Sequence, residues 1–171
     1  MATVATQNAP SFRTQNASSL LSSEMMVRFA LVPLAVAICY CFEWRQLRFL
    51  TAEANLRVDL LAGISLQRLS YDTVAWRGVQ YRYENACTFV DVWFGCLPLL
   101  WQRRRGLMQN VVFFSGLALA FFAFNVFRLS VSDVLFAVGL PWDLAHNVIS
   151  GFAYFLVWVW VWRYRAYSAA I

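Results

Sequence analysis

The strongest constraint on the fold of this chain is a series of four apolar segments separated by charged stretches. The segments cover residues 25–42, 88–102, 107–129 and 147–162. Apolar residues make up 61% of the chain and charged residues only 13%, whereas soluble domains contain about 25% charged residues. Because lipid cannot hydrogen-bond the backbone, a segment that crosses a bilayer in a chain of this kind forms a helix. The pattern predicts an all-α polytopic membrane protein with about four transmembrane helices.

The four segments differ in how well they fit a bilayer. Residues 107–129 would form a helix about 34 Å long, enough to cross an apolar core of about 30 Å. Residues 88–102 are fewer and contain both Asp91 and Pro98. Residues 130–145 are predicted to form a loop before the last segment. The segment at 147–162 ends in tryptophans and is followed by arginines, a combination typical of a membrane interface.

The stretch between the first two segments has a different character. Residues 43–86 carry six arginines and five acidic residues, so we do not expect them to cross the membrane. Residues 51–70 are predicted to form an amphipathic helix on the membrane surface. Residues 72–83 are predicted to form a short hairpin with Gly78 near the turn. The apolar stripe of the amphipathic helix consists of Leu56, Leu60, Leu61, Ile64 and Leu69.

Composition also divides the chain and limits its partners. Residues 1–24 are polar without an apolar period and are predicted to be a disordered tail, residues 25–165 a transmembrane domain, and residues 166–171 a C-terminal tail. The arginine run at 103–105 lies between two apolar segments, so it indicates a membrane anchor rather than a nucleic-acid site. No zinc site is expected, because the chain has one histidine and no Cys-x-x-Cys pair.

The arginine run also sets the expected orientation. Short basic loops stay in the cytoplasm, which places residues 103–105 and both termini there. The 43–86 segment then lies on the opposite side, although its six arginines weaken this orientation. The expected location is the inner, or cytoplasmic, membrane, in contact with lipid and with several crossings.

Three chemically distinctive side chains lie at the ends of apolar segments that share one side of this topology. They are Cys87, Arg128 and His146, the last being the only histidine. A thiol becomes a good nucleophile as a thiolate, which a nearby guanidinium stabilises. Histidine takes and returns a proton near neutral pH, and arginine can instead stabilise an oxyanion. Reversing the orientation would move all three together.

Each of these three residues could also have a purely structural role. Cys87 could be a small buried residue, Arg128 an arginine that extends to the interface, and His146 a helix-start residue hydrated by water. Their common depth favours the functional reading, because three independent accidents at one level are less frequent than one.

Helix spacing adds three supporting candidates. Asn125 lies three residues before Arg128 and shares its face. Asp91 lies one turn beyond Cys87, and Arg128 is its expected partner because a carboxylate in the membrane is usually paired. The alternative is that Asp91 only holds helices together. Asp143 lies three residues before His146 and either orients its ring or caps the fourth span.

At these residues the sequence resembles the exosortase/archaeosortase family of membrane transpeptidases. The matching segments are Glu84-Asn85-Ala86-Cys87-Thr88, Asn125-Val126-Phe127-Arg128, His146 followed by Gly151, and Leu60-Leu61-Ala62-Gly63-Ile64 before the cysteine. The resemblance covers roughly residues 45–160. It departs from the family in two ways: Phe89 follows the Cys-Thr pair where family members commonly carry a glycine soon after it, and many members have about eight spans.

The resemblance implies an enzyme that acts without a cofactor. Cys87 would be the nucleophile, with Arg128 and His146 as its partners. The implied substrates are secreted proteins with a C-terminal sorting tail, which the enzyme would cleave through a thioester on the extracytoplasmic side before transfer to an acceptor or to water. The alternatives are a non-catalytic subunit of an exopolysaccharide or protein-export system and, third, a small transporter component.

Overall fold

The computed structural model describes the backbone of residues 12–170 and the side chains of residues 23–165. Helices make up most of the described chain, and one small antiparallel sheet accompanies them. In chain order the elements are α1 (Phe12–Tyr40), α2 (Arg45–Leu61), β1 (Gln67–Arg68), β2 (Thr73–Trp76), β3 (Val79–Arg82), a short 3₁₀ helix (Asn85–Thr88), α3 (Val90–Leu100), α4 (Leu107–Ala137) and α5 (Trp142–Ala170).

Within the described residues, three helices have segments long and apolar enough to cross a membrane. These segments are Ser23–Tyr40 of α1, Leu107–Ala137 of α4 and Trp142–Arg165 of α5. The mostly helical, membrane-type architecture predicted from hydropathy is confirmed to this extent. The remaining apolar helix, α3, has 11 residues and a length of about 16 Å at about 1.5 Å per residue. It is therefore much shorter than a bilayer core of about 30 Å.

Helix α3 runs antiparallel to α1, with hydrogen bonds at both ends. At one end Arg28 Nη1 donates to the carbonyl oxygens of Pro98 (3.0 Å) and Trp101 (2.8 Å). At the other end the Tyr40 hydroxyl donates to Asp91 Oδ2 at 3.3 Å. The arginine satisfies carbonyls that the last turn of α3 leaves free. The α1–α3 pair therefore has a basic end and a polar end, and the polar end leads to Cys87.

The bundle has an apolar interior and an apolar exterior. Side chains of α3, α4 and α5 form the core between the helices. The outer surfaces of the long helices also carry large apolar side chains, as expected for a protein surrounded by lipid. The core includes Phe89, Val92, Cys96, Leu99, Phe114, Leu117, Phe121, Ala153 and Val157, and the exposed set includes Leu119, Phe127, Phe152, Phe155 and Trp162.

The predicted hairpin is confirmed, with one strand more than expected. Strands β2 and β3 pair antiparallel with Trp76 opposite Val79, so two residues form the turn. Arg77 and Gly78 both have positive φ angles, 49° and 80°, as a two-residue turn of this hand requires. Strand β1 pairs with the other edge of β2.

Helix α2 differs from the predicted amphipathic helix in its limits, and the side that packs on the rest of the protein is polar. It covers Arg45–Leu61 rather than residues 51–70, and the chain beyond it enters β1. Leu60 and Leu61 of the predicted apolar stripe are exposed. The side that packs inward is polar instead, because it faces polar groups of α4 and of the chain after β3. The buried residues are Arg48, Thr51, Ala52, Asn55 and Asp59.

Several ends of the long helices extend beyond their predicted limits. Helix α1 begins at Phe12, so residues 12–24 of the predicted disordered tail are helical, and residues 1–11 lie outside the described part. Residues 130–137 continue α4 where a loop had been expected over 130–145. Helix α5 runs from Trp142 to Ala170, so residues 166–170 of the predicted C-terminal tail are helical as well. The extension of α4 has a physical cause: Ser130 and Asp133 are buried and hydrogen-bond Asn55 on the polar face of α2, so these polar groups are not exposed to lipid.

Candidate active site

Cys87 lies in the 3₁₀ helix that leads from the sheet into α3, and its side chain is partly buried. Its backbone N–H donates to the Glu84 carbonyl oxygen at 3.0 Å. Burial raises the pKa of the Cys87 thiol, although the backbone of Glu84 and the charge of Arg128 both act to lower it. The thiol is therefore protonated at neutral pH, and nucleophilic chemistry at this position needs a base.

Arg128 is joined to the cysteine through Asn125, as the spacing of the two residues predicted. Arg128 Nε donates to Asn125 Oδ1 at 3.0 Å, and Asn125 Nδ2 donates to the Cys87 carbonyl oxygen at 2.7 Å. Arg128 Nη2 also lies 3.4 Å from the Ala86 carbonyl oxygen. Both residues on α4 thus hold the backbone around Cys87, and a buried guanidinium lies beside it.

The remaining contacts of Arg128 tie the site to α5 and to Phe89. Nη1 donates to Ser150 Oγ at 2.5 Å. The guanidinium carbon lies 5.0 Å from the centre of the Phe89 ring, within the range of a cation–π interaction. Arg128 is only 3% exposed. It is a buried cation that connects three elements, and not an arginine that extends to the interface.

His146 lies on the same face of α5 as Ser150, one helical turn before it. Its ring packs on Trp142 with centroids 5.2 Å apart. Its Nδ1 atom is buried and has no hydrogen-bond partner. In the described structure no hydrogen bond joins His146 to Cys87 or to Arg128. His146 therefore lies on the helix that packs beside the cysteine, but it makes no hydrogen bond with the thiol.

Asp91 contacts tyrosines instead of its expected partner Arg128. Its Oδ2 atom accepts hydrogen bonds from Tyr154 (3.2 Å) and Tyr40 (3.3 Å). Hydroxyl donors satisfy a carboxylate in an apolar environment without a second charge. The prediction that Asp91 pairs with Arg128 is therefore wrong, and Asp91 instead joins α1, α3 and α5.

Asp143 does not orient the histidine ring in this structure. It is exposed in the first turn of α5. No hydrogen bond connects it with His146 within the described residues. An acidic residue at this place still interacts favourably with the positive end of the helix, so it fits the alternative role at the start of α5 better.

Two site residues escaped sequence reasoning although a signal for them exists. His146, Ser150 and Tyr154 follow one another at intervals of four residues. Side chains at this spacing share one helix face, so they form a polar stripe within an apolar span. Ser150 contacts Arg128, and Tyr154 contacts Asp91. This stripe marks the side of α5 that faces the cysteine.

Phe89 adopts the left-handed conformation, with φ 61° and ψ 13°. A bulky side chain disfavours this region by roughly 1–2 kcal/mol relative to the usual helical one. The side chain is nonetheless fully buried, and its ring contacts Tyr154 at a centroid distance of 4.9 Å. Phe89 therefore occupies a position whose backbone conformation favours glycine.

We expect Phe89→Gly to be more stable than Phe89→Ala by about 1 kcal/mol, the reverse of the usual order in helices. Both variants lose the same ring contacts and should be less stable than the wild type by about 3 kcal/mol. Only the alanine retains a Cβ in the left-handed region. Thermal unfolding of the purified variants in detergent measures the difference. An alanine variant as stable as the glycine variant would contradict the left-handed backbone at this position.

A cleft of about 320 Å³ opens beside the start of the cysteine segment. Its lining combines aromatic and charged side chains from the end of α1 and from the chain before Cys87. It ends at Asn85, two residues before Cys87. A peptide segment could approach the site from this side. The lining residues include Tyr40, Phe42, Glu43, Arg82, Glu84 and Asn85.

Comparisons of the chain with profiles of known protein families, with curated proteins and with solved structures find no match. What the site can do chemically therefore rests on its own residues: a buried thiol beside a buried guanidinium, with an unengaged imidazole on the neighbouring helix.

Proposed function

We propose that this chain is an exosortase-like membrane cysteine peptidase or transpeptidase. It cleaves the C-terminal sorting tail of secreted proteins and holds the product as a thioester on Cys87. The observation that carries the proposal is the bonded set Cys87–Asn125–Arg128. An asparagine and a permanent cation, three residues apart on α4, hold the backbone carbonyls of Ala86 and Cys87.

The reaction assigns one step to each polar group. His146 takes the proton of the Cys87 thiol, and the sulfur attacks the carbonyl carbon of the scissile bond. Arg128 stabilises the negative charge of the thiolate or of the oxyanion that follows. The C–N bond then breaks, the leaving amine takes the proton from His146, and the acyl group remains on sulfur. An acceptor nucleophile or water releases it and regenerates the thiol.

This chemistry requires His146 to move toward the thiol. Its Nδ1 atom has no partner in the structure, so no hydrogen bond of that atom has to be broken first. Catalytic hydrogen bonds commonly tighten only when substrate is bound. Burial of the thiol fits the same scheme, because it keeps Cys87 protonated until a base is in place.

The proposed topology includes α3 as a fourth, short crossing. Helix α3 reaches from the level of Tyr40 to that of Arg28, and these two levels on α1 are about 18 Å apart. The loop with Arg103, Arg104 and Arg105 then lies in the cytoplasm. Cys87 opens toward the extracytoplasmic side, where α2 and the sheet cover it.

The decisive test replaces Cys87 by alanine and by serine in the native host. Processing of a co-encoded protein with a sorting tail should stop in both variants, because neither can form a thioester. Cys41→Ser is the matched control, since Cys41 is also a cysteine but is exposed at the end of α1, and it should process normally. Immunoblotting of the substrate gives the readout. Unchanged processing in Cys87→Ala would refute the nucleophile assignment.

A second candidate function is a non-catalytic subunit of an exopolysaccharide or protein-export system. Two observations favour it. All three nitrogen atoms of Arg128 already have hydrogen-bond partners, and Phe89 stands close to where the exosortase pattern commonly has a glycine. In this case the same contacts would only hold the helices together. Incubation with a tailed substrate separates the two functions: a hydroxylamine-sensitive adduct on Cys87 indicates the enzyme, and its consistent absence in folded protein indicates the subunit.

A further inference from the structure

A second buried polar cluster lies where α2 meets the end of α4, outside the candidate active site. Its centre consists of Asn55 and Asp59 on α2 and Asp133 on α4, which are 0%, 0% and 1% exposed. Tyr83, from the chain after β3, closes one side. Two carboxylates are rarely buried at one place without cations, so their protonation has to be explained.

The hydrogen bonds leave one carboxylate oxygen of this cluster without a donor. Asn55 Nδ2 lies 2.7 Å from Asp59 Oδ2, 2.8 Å from Asp133 Oδ2 and 3.0 Å from the Tyr83 hydroxyl oxygen. The two amide hydrogens can serve the two carboxylates, and the Tyr83 hydroxyl carries a hydrogen of its own. The other oxygen of Asp59, Oδ1, is buried and has no partner. A proton on the carboxylate pair supplies the missing donor.

No described cation is close enough to replace that proton. Arg48, on the same face of α2, is bonded to the Tyr83 carbonyl oxygen at 2.7 Å and to Asp72. Arg128, on α4, is bonded within the candidate active site. None of the salt bridges of the described residues includes Asp59 or Asp133.

The other titratable groups around the pair are neutral or weakly acidic. The Tyr81 hydroxyl donates to Asp133 Oδ1 at 2.8 Å, and burial raises the pKa of Tyr81. Cys87 packs against the same apolar cluster as Tyr83. The amide hydrogens of Asn55 are directed at both carboxylates, which disfavours a metal cation between them.

We propose that Asp59 and Asp133 share one proton and form a pH-sensitive latch, which holds α2 and the sheet against α4 and limits access to Cys87. Two carboxylates at hydrogen-bond distance from one amide cannot both ionise in a buried site without strong repulsion. Burial and the neighbouring Asp133 raise the pKa of Asp59 to about 8, which agrees with this geometry.

The latch also reaches the candidate active site through two chains of contact. Cys87, Tyr83 and Leu129 belong to one packed cluster, so separation of α2 from α4 uncovers the thiol. Tyr81 stacks on Trp142 with centroids 4.1 Å apart, and Trp142 stacks on His146. The proposal concerns access and stability, and it does not depend on the peptidase reaction.

The sign of the pH effect follows from linkage. An aspartate in the unfolded chain has a pKa of about 3.9, and Asp59 in the folded chain has a raised one. The folded state therefore binds a proton that the unfolded state has lost. The stabilisation is complete below a pH of about 4, declines above it, and is lost as the pH rises through the folded value of about 8.

Asp59→Asn tests the latch in the full-length protein in detergent. The new amide carries hydrogens at every pH, so it replaces the shared proton as a donor within the cluster. The melting temperature of the wild type should fall between pH 5 and pH 9. The fall should be smaller in Asp59→Asn, which should melt above the wild type at pH 9. Glu53→Gln, a partly exposed position on the same helix, should follow the wild type.

Asp133→Asn provides a second variant in case Asp59→Asn does not fold. It removes the repulsion from the other side of the pair and should likewise reduce the pH dependence. If a folded variant at either position shows the same pH dependence as the wild type, the shared proton does not exist.

Labelling of Cys87 with a maleimide tests access directly. Peptide-resolved mass spectrometry follows this residue alone, and rates are divided by those of the denatured chain to remove the reactivity of the thiol itself. In the wild type this ratio should rise by up to about tenfold per pH unit between pH 6 and pH 8, and in Asp59→Asn it should stay level. An equal rise in both proteins would overturn the latch.

Discussion

Replacing Arg128 with alanine should lower the free energy of unfolding by about 3 kcal/mol and stop substrate processing. The guanidinium donates to Asn125 and Ser150 and reaches the Ala86 carbonyl oxygen. Its removal leaves these buried oxygens without a donor, and an unsatisfied buried group costs about 1–3 kcal/mol. It also removes the cation from beside Cys87.

Arg128→Lys separates structure from chemistry. A lysine has a single nitrogen and cannot reproduce the planar fork that joins the three oxygens. We expect a stability between those of the wild type and the alanine variant, with processing still absent. Thermal unfolding, monitored by tryptophan fluorescence, measures the stability. Immunoblotting of the substrate measures the processing.

Arg104→Ala is the matched control for these variants. Arg104 is exposed in the loop between α3 and α4, so its removal should change the melting temperature little and leave processing intact. If Arg128→Ala unfolded at the same temperature as Arg104→Ala, the buried contacts of Arg128 would not exist in solution. If processing survived, Arg128 would have no part in the proposed reaction.

Asp72→Asn should destabilise the protein by about 3–5 kcal/mol, the usual cost of breaking a buried ion pair. Asp72 is 2% exposed. Its Oδ2 atom is bonded to Arg48, and it accepts from Arg82 Nε at 2.9 Å. The substitution leaves Arg48, itself 7% exposed, without a carboxylate. Because Arg48 is on α2 and Asp72 precedes β2, the helix should lose one of its attachments to the sheet.

The pH dependence of Asp72 has the opposite sign to that of the latch. Burial alone would raise the pKa of Asp72. Hydrogen bonds from Arg82, Ser70 and Thr73 lower this pKa, and so does the charge of Arg48, so that the pKa of Asp72 is below its usual value. The stabilisation is present above a pH of about 4 and is lost as the pH falls through the lower folded value. Asp72→Asn should therefore remove part of the acid-induced loss of stability.

Glu53→Gln is the control for this ion pair. Glu53 bonds Arg57 and Arg68, but its side chain is 34% exposed, and such pairs contribute about 0–1 kcal/mol. Melting temperatures between pH 3 and pH 7 compare the two variants. Equal destabilisation by Glu53→Gln and Asp72→Asn would show that the Arg48–Asp72 pair is not buried in solution.

Sequence reasoning succeeded where a signal is local. Asn125 and Arg128 were expected on one face because they are three residues apart, and they are hydrogen-bonded. Gly78 marked the hairpin turn, and uninterrupted apolar runs marked the cores of α1, α4 and α5. In each case the local sequence of one element is sufficient for the prediction, because the position of the rest of the chain does not enter it.

It failed where two polar surfaces cover each other. Ser130, Ser132 and Asp133 read as the start of a loop, because a polar stretch after an apolar span normally reaches water. In the structure Ser130 and Asp133 hydrogen-bond Asn55 of α2, whereas the sequence of α2 had been interpreted only through its apolar stripe. Buried polar groups need hydrogen-bond partners, and here the partners come from two segments that are distant in the sequence. Neither segment alone shows that the two meet. The pairing of Asp91 was missed for the same reason.

By itself, the sequence determined the membrane-type helical class, the hairpin and the neighbourhood of Cys87, Asn125 and Arg128. Hydropathy, turn chemistry and helical spacing act over a few residues, so they can be read directly. Only the tertiary structure decided that α4 continues to Ala137, that α2 buries its polar side, that Asp91 bonds tyrosines and that His146 is not engaged with the thiol. These features depend on which hydrogen-bond donors and acceptors meet after packing, because a buried polar group is stable only beside its partner.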